Sequence, residues 1–336
     1  MRDAKAKLAH IDACLSPKSQ YEKSAGFDQL QLMNQAGLDI ALSNVSTEKN
    51  FLGQILKAPL MIAPMTGGVE KSALLNERWA KAAQHFGIPM GIGSQRVALE
   101  DHKKASSFHI RKVAPDVFIF ANLGAAQIAQ GMPAEQVQRA IDMIEANALF
   151  IHFNALQEAC QNGDVDFKNL TKNMQKLCKH FSKQKIPVFA REVCFGLSKE
   201  AAKRFMDMGF SGIDCAGAGG TSWSKVEALC AKTERQRKLG FQFGEWGIPT
   251  AQSIENVRAI SQSVPLIATG GIRSGQDILK ALHLGADIAS MAQPMLVAAH
   301  QSEQALFEFI EDLIQELRVA LFASGQEKLP YSSLRA

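Results

Sequence analysis

Side chains able to bind or move charge recur at one kind of place in this chain, just at or after a short apolar run. Thr66, Ser94, Arg96, Asn122, His152, Asn154, Gln157, Glu158, Arg191, Glu192 and Thr221 all stand there. Any one of them can serve as a turn or capping residue. As a set they exceed what turns require, since Gly, Asn or Ser suffices for those, and they read as one composite site. Two anion-binding features belong to it. One is the turn Thr269-Gly270-Gly271 with Ile272 and Arg273, joined by Ala292-Gln293 after the next apolar run. Paired glycines let backbone N–H groups face a ligand with no Cβ in the way. Ser274 and Asp277 then form an S-x-x-D capping signature, opening a helix whose N-terminus favours anions. An ordinary strand–helix–strand unit with a glycine-rich turn carries the same pattern. The second feature is Arg96 with His152 and Asn154.

Two anion sites in one place suit a phosphorylated cofactor beside a phosphorylated substrate. Glu158 is a carboxylate next to where phosphate oxygens would lie, the usual position for holding Mg²⁺. Thr66, Ser94, Asn122 and Thr221 are neutral hydrogen-bonding groups fit to line the edge of a flat heterocycle. Arg191 would add fixed positive charge there, which stabilises an anionic reduced ring. No Cys–His or Ser–His–Asp pattern suggests a protein nucleophile.

The elements that position these residues are legible in the periodicity. Apolar runs at 57–63, 88–93, 117–121, 148–151, 187–190, 212–215, 265–268 and 286–292 have the length of buried strands. Helical sequence follows each of them, as in Leu75, Trp79 and Ala82, or Leu170, Met174, Leu177 and Phe181. Such alternation predicts parallel α/β architecture, and its count favours a closed (β/α)8 TIM barrel, whose sites lie at the C-terminal ends of the strands. The expected division is an N-terminal extension over 1–56 and a barrel over 57–336. The extension is polar and of mixed charge, and on composition Lys5, Lys7 and His10 read as a solvated basic end. Residues 225–240 and 245–251, followed by a helix over 252–260, predict an enlarged loop and helix between the sixth and seventh strands, either a lid over the mouth or a plain solvated helix.

The totals agree with one large domain: 336 residues, 46% apolar, 21% charged. A net charge of +4 is small for this length and gives no argument for a nucleic-acid partner. The six cysteines show no C-x-x-C pair or zinc spacing and read as buried thiols of a reducing compartment. No apolar run reaches the ~18 residues of a membrane span, so a cytoplasmic enzyme without membrane partners is the expectation.

Several motifs together resemble the type 2 isopentenyl-diphosphate isomerases, which are FMN-dependent barrel enzymes. They are MTGG (65–68), GSQR (93–96), ANLG (121–124), HFNALQE (152–158), GIDCAGAGGTSW (212–223), WGIPTA (246–251) and GGIRSG (270–275). The resemblance implies interconversion of isopentenyl and dimethylallyl diphosphate with reduced FMN and Mg²⁺, NADPH as reductant, and a homo-oligomer, tetrameric or octameric. It implies that FMN is held by Pro64, Met65, Thr66, Ser94, Asn122, Arg191 and Thr221. The cofactor phosphate would sit on Gly271, Ile272, Arg273, Ala292 and Gln293. The diphosphate substrate would meet Lys7, His10, Ser94, Gln95, Arg96, His152 and Asn154. Gln157 would lie beside the reacting carbons, Glu158 would bind Mg²⁺, and Glu227 matches a family carboxylate near the substrate, although a helix-surface Glu reads the same way. The sequence departs from the family at two places. Arg191 stands in R-E-V-C where K-E-V-G is usual, and Ala6-Lys7-Leu8-Ala9-His10-Ile11 replaces R-K-x-[DE]-H-I. Two other readings share the glycine turn: an FMN oxidoreductase of the α-hydroxy-acid oxidase or IMP dehydrogenase type, and a flavin-binding pseudoenzyme. The cysteine that an IMP dehydrogenase needs after AGAGGT is absent.

Overall fold

The computed structural model describes residues 4–330; the outermost residues of both expected segments lie outside that range. Two short strands, β1 (Lys49–Phe51) and β2 (Gln54–Leu56), form an antiparallel hairpin. Eight parallel strands then close a barrel: β3 (Leu60–Ile62), β4 (Met90–Gly91), β5 (Ile119–Gly124), β6 (Ala148–Phe153), β7 (Val188–Glu192), β8 (Gly212–Asp214), β9 (Leu266–Thr269) and β10 (Ile288–Met291). Each pairs with the next, and β10 closes on β3 through Ala289 opposite Leu60. The expected barrel is present, with its strands in the expected order.

The barrel interior explains where the polar residues go. Side chains alternate along a strand, so residues two apart share a face. Met61, Phe120, Phe150, Phe189, Ile267 and Ile288 form one buried apolar floor. Phe120 stacks on Phe150 at 4.2 Å between centroids, and Phe189 meets both edge-on. Gly212 makes room for them, since a Cβ there would lie 2.1 Å from the Phe189 ring. The β1–β2 hairpin plugs the lower opening, with Phe51 and Leu56 joining the same cluster. One alternation higher, on the same inward face, stand Asn122, His152, Arg191, Asp214, Thr269 and Ser290. The floor therefore fixes the register of the mouth.

The N-terminal extension is not a solvated end. Its first helix, Ala4–Leu15, lies on the barrel mouth with Ile11 buried, and Tyr21, Phe27 and Val45 are buried further on. Tyr21 N–H donates to the Gly220 carbonyl at 2.8 Å, and Lys7 Nζ donates to the Gly67 carbonyl. The helix expected over 252–260 is present as Thr250–Ile260, and the stretch expected as an enlarged loop before it carries two more helices, Trp223–Leu229 and Glu234–Gln242. Cys160, Cys178, Cys194 and Cys215 are buried, Cys14 and Cys230 half-buried, and all six are free.

Candidate active site

A cavity opens at the C-terminal ends of the strands, lined on one side by Lys7, His10, Ile11 and Cys14 of the Ala4–Leu15 helix. One wall is an anion cradle. Gly270 and Gly271 have φ of 110° and 67°, and a Cβ on Gly270 would lie 2.1 Å from the Gly217 carbonyl oxygen. Thr250 Oγ1 donates to the Gly270 carbonyl at 2.7 Å and holds that turn. Ser274 caps the helix Gly275–His283 by accepting from Asp277 N–H, while Asp277 accepts from Arg273 N–H at 2.9 Å. Ala292 and Gln293 open a second helix, Gln293–Gln301, on the same wall. At the ends of β9 and β10 the hydroxyls of Thr269 and Ser290 are buried without any hydrogen-bond partner, and both residues line the cavity. Two buried, unpaired hydroxyls in a cavity wall from which two helices start suit a phosphate. A phosphorylated cofactor fits this wall, and the Gly271, Ile272, Arg273, Ala292 and Gln293 of the sequence expectation all lie on it.

This wall leaves no space for a side chain at Gly270. Gly270→Ala combines a 2.1 Å clash against backbone with an unfavourable φ, and strain of this kind costs about 1–3 kcal/mol. The expected result is FMN binding weakened at least tenfold, read by fluorescence titration, with a lower unfolding midpoint.

A second wall carries Pro64, Met65, Thr66, Ser94, Asn122 and Thr221. Thr66 Oγ1 shares a hydrogen bond with Ser72 Oγ at 2.9 Å, and Thr221 Oγ1 accepts from Gln20 Nε2 at 3.1 Å. Asn122 Oδ1 pairs with His152 Nδ1 at 2.8 Å, while its amide donates to the Ile92 carbonyl. At the centre, Arg191 Nη1 donates to the fully buried Asp214, and its guanidinium sits 5.5 Å above the Phe150 ring. Burial pushes the Arg191 pKa down to about 10, so it is still a cation at neutral pH. Its neighbour Glu192 is pushed up to about 7 by burial, against the pull of the Val193, Cys194 and Phe195 N–H groups that donate to it.

The third wall is a chain of side-chain hydrogen bonds. Asn154 precedes the helix Ala155–Gln161 and donates from its amide to Gln157 Oε1 at 3.1 Å and to Glu158 Oε1 at 2.9 Å. Gln157 Nε2 donates to Glu227 Oε1 at 2.8 Å, and the other oxygen of Glu227 meets His10 Nε2 at 3.3 Å. The His10 ring stands edge-on to Trp223 at 5.8 Å. Asn154, Gln157, His10 and Lys7 face the cavity; Glu227 stands behind them. Two cysteines also reach the cavity, and burial pushes Cys14 up to about 12 and Cys194 well above its usual range, so both stay thiols.

Three residues expected at the ligand are placed elsewhere. Gln95 is fully buried and clamps backbone, donating to the Ala140 carbonyl at 2.6 Å and accepting from Asn122 N–H. Arg96 is ion-paired with Asp164 at 2.7 Å. Glu158 supports Asn154 and accepts from Asp164 N–H at 2.9 Å. None of the three lines the cavity. Conversely, Trp223 and Ser290 line it without having been singled out as ligands, and Thr269, expected only as part of the glycine turn, lines it with its own hydroxyl. For Thr269 and Ser290 the signal is the strand period itself, a hydroxyl two residues after the inward-facing Ile267 and Ile288.

Comparison with known proteins agrees with this architecture. A family model described as FMN-dependent dehydrogenase matches residues 120–332. An isopentenyl-diphosphate delta-isomerase of Nostoc sp. is 45% identical over 96% of this chain and 92% of its own length. Its counterpart in Chlorobium limicola is 43% identical over 95% and 91%, and that of Rickettsia bellii 40% over 98% and 96%. Among solved structures, a mandelate oxidase variant carrying an FMN adduct aligns with a TM-score of 0.63 at 18% identity, covering 95% of this chain and 89% of that one. At that identity the likeness concerns the fold.

Proposed function

The chain belongs to the isopentenyl-diphosphate delta-isomerases, within the FMN-dependent dehydrogenase family, and on that premise we propose how its cavity interconverts isopentenyl and dimethylallyl diphosphate. The reaction adds a proton to one alkene carbon and removes another from its neighbour, with no net redox change. FMN, when bound and reduced, supplies ring nitrogens able to serve as acid and base and spreads charge over its rings. The chain's own residues do the rest. Thr269, Ser290 and the Gly270–Gly271 turn anchor the cofactor phosphate. Thr66, Ser94, Asn122 and Thr221 orient the ring edge, and Arg191 holds a cation next to it. Lys7, His10, His152 and Asn154 fix the diphosphate end, so that the olefin is oriented over the ring. Gln157 faces the reacting carbons, tied through Glu227 to His10. The observation that carries this reading is that chain from His10 to Asn154, which brings an imidazole and two amides to the cavity with the Glu227 carboxylate behind them.

Magnesium enters this scheme with the substrate. Among the described residues no three His, Cys, Asp or Glu groups gather to hold a metal. Glu158 is the proposed magnesium ligand on the resemblance alone, since its carboxylate stands outside the cavity lining, bonded to the Asn154 amide and the Asp164 N–H. NADPH is the proposed reductant, and a cytoplasmic homo-oligomer is proposed on the resemblance alone. Among the described residues no helix is long and apolar enough to cross a membrane.

The decisive experiment gives isopentenyl diphosphate to the FMN-loaded chain, oxidised or reduced, and follows dimethylallyl diphosphate by proton NMR. Turnover is expected only after reduction. Oxidation of a 2-hydroxy acid with no isomerisation would instead make the chain an oxidoreductase, and bound flavin without any turnover would make it a pseudoenzyme.

A further inference from the structure

Gln20, in the N-terminal segment, is not itself part of the cavity lining, yet its side chain joins two residues that are, Thr221 and Arg273. Backbone bonds hold it in place. Gln20 and Thr221 face each other in an antiparallel bridge, flanked by Tyr21 N–H donating to the Gly220 carbonyl and Ser222 N–H donating to the Ser19 carbonyl, both at 2.8 Å. Lys225 Nζ donates to the Gln20 carbonyl at 2.9 Å. Gly220 lies against the glycine turn of the cradle, since a Cβ there would stand 2.7 Å from the Gly271 nitrogen. The N-terminal segment and both glycine-rich loops therefore meet around Gln20.

The partners of the Gln20 amide fix which way it points. Arg273 Nη2 lies 3.0 Å from Oε1, and a guanidinium has donors only, so the carbonyl end faces it. The NH2 end then reaches Ser19 Oγ and Thr221 Oγ1, each at 3.1 Å. Ser19 requires the same direction, because its own hydroxyl proton goes to the Ser16 carbonyl at 2.8 Å and leaves the oxygen to accept. With one amide proton on Ser19, the other is on Thr221. A hydroxyl has one proton to give and two lone pairs. Gln20 takes up a lone pair of Thr221, and no protein acceptor holds the Thr221 proton among the described residues. That O–H is kept for whatever fills the cavity.

We infer that Gln20 is a positioning residue that makes Thr221 an obligate hydrogen-bond donor to an acceptor oxygen of FMN; this rests on the reading of the cavity as the flavin site. Gln20→Glu inverts the arrangement at nearly unchanged size. The carboxylate still accepts from Arg273, but it is an acceptor at Thr221 as well. The Thr221 proton then turns to Glu and away from the cavity, and its lone pairs face the ligand oxygen instead.

Fluorescence titration of the full chain with FMN and with riboflavin tests this. Gln20→Glu should weaken FMN about fivefold or more, the worth of one hydrogen bond. An equal loss for riboflavin puts the acceptor on the ring or its side chain, and a loss confined to FMN puts it on the phosphate; either supports the donor role. Glutamate also brings a charge, and Thr221→Val separates the two effects by removing the hydroxyl. Thr221→Val should lose as much as Gln20→Glu, and adding Gln20→Glu to it should cost nothing further. Unchanged or tighter FMN binding by either single variant overturns the inference. A full further loss in the double variant overturns it too, because the effect is then charge beside Arg273. Failure of the flavin reading looks different: the wild-type chain takes up no FMN at all, and the inference falls with it.

Discussion

Gln157→Ala is expected to lower kcat for isopentenyl diphosphate isomerisation by about 10²–10⁴-fold, the range over which positioned proton-handling groups act, while FMN stays bound. Gln157 is the cavity-facing link between Asn154 and Glu227, at 3.1 Å and 2.8 Å respectively. On the proposed reading, shortening it to alanine takes the amide away from the reacting carbons, and it removes the donor that holds Glu227 Oε1 beside His10. The proposed cofactor contacts are elsewhere, on Gly270–Gly271, Thr269 and Ser290, so flavin affinity should change by less than about twofold. The fold should tolerate the change, since one lost hydrogen-bonded side chain costs about 0.5–1.5 kcal/mol. Steady-state kinetics of the reduced protein and fluorescence titration of FMN measure the two halves separately. Full activity in this variant would remove Gln157 from the mechanism.

That Gln157 faces the cavity while Glu158 does not shows what sequence can and cannot resolve. Residue type and position after a strand bring both to the rim, but adjacent helical residues point about 100° apart, as 3.6 residues per turn requires. The same limit applies at Ser94, Gln95 and Arg96, where Ser94 lines the cavity, Gln95 clamps backbone and Arg96 pairs with Asp164. The strands were legible because both faces of a parallel barrel are buried, so each reads as a continuous apolar run. Boundaries were less so: of 88–93 only Met90–Gly91 pairs as strand. Gly93 is there for close approach, since a Cβ would lie 2.4 Å from the Thr66 carbonyl carbon.

The N-terminal segment was the larger miss, and for a physical reason. Its helix Ala4–Leu15 has little amphipathic pattern, because it presents Ile11 and Cys14 together with Lys7 and His10 to a cavity of mixed lining. The partners that hold it are distant in sequence, His10 and Glu227 being 217 residues apart. The β1–β2 hairpin was equally hidden, as its turn uses Leu52 at φ 53° before Gly53 at φ 84°. Asn-Gly or Asp-Gly would have announced such a turn; Leu-Gly does not.

Arg191 yields the second large effect, and here stability is the readout. Arg191→Met should destabilise the fold by about 3–5 kcal/mol, as breaking one side of a buried ion pair does, seen as a lower urea midpoint. Asp214 is fully buried, and with the guanidinium gone its remaining hydrogen bond is the Ala216 N–H at 3.2 Å. Arg191→Lys keeps the cation over Phe150 and beside Asp214, so fold and turnover should both survive, with activity equal or higher. Total loss of activity in the lysine variant would show that the cavity is built around the planar guanidinium. The charge argument has its own check, because coupled neighbours do not add. If an unpaired carboxylate is the cause, Asp214→Leu combined with Arg191→Met should recover most of the lost stability, since an apolar pair can replace a buried ionic one. A double variant no more stable than Arg191→Met would place the cost in packing against Phe150 instead.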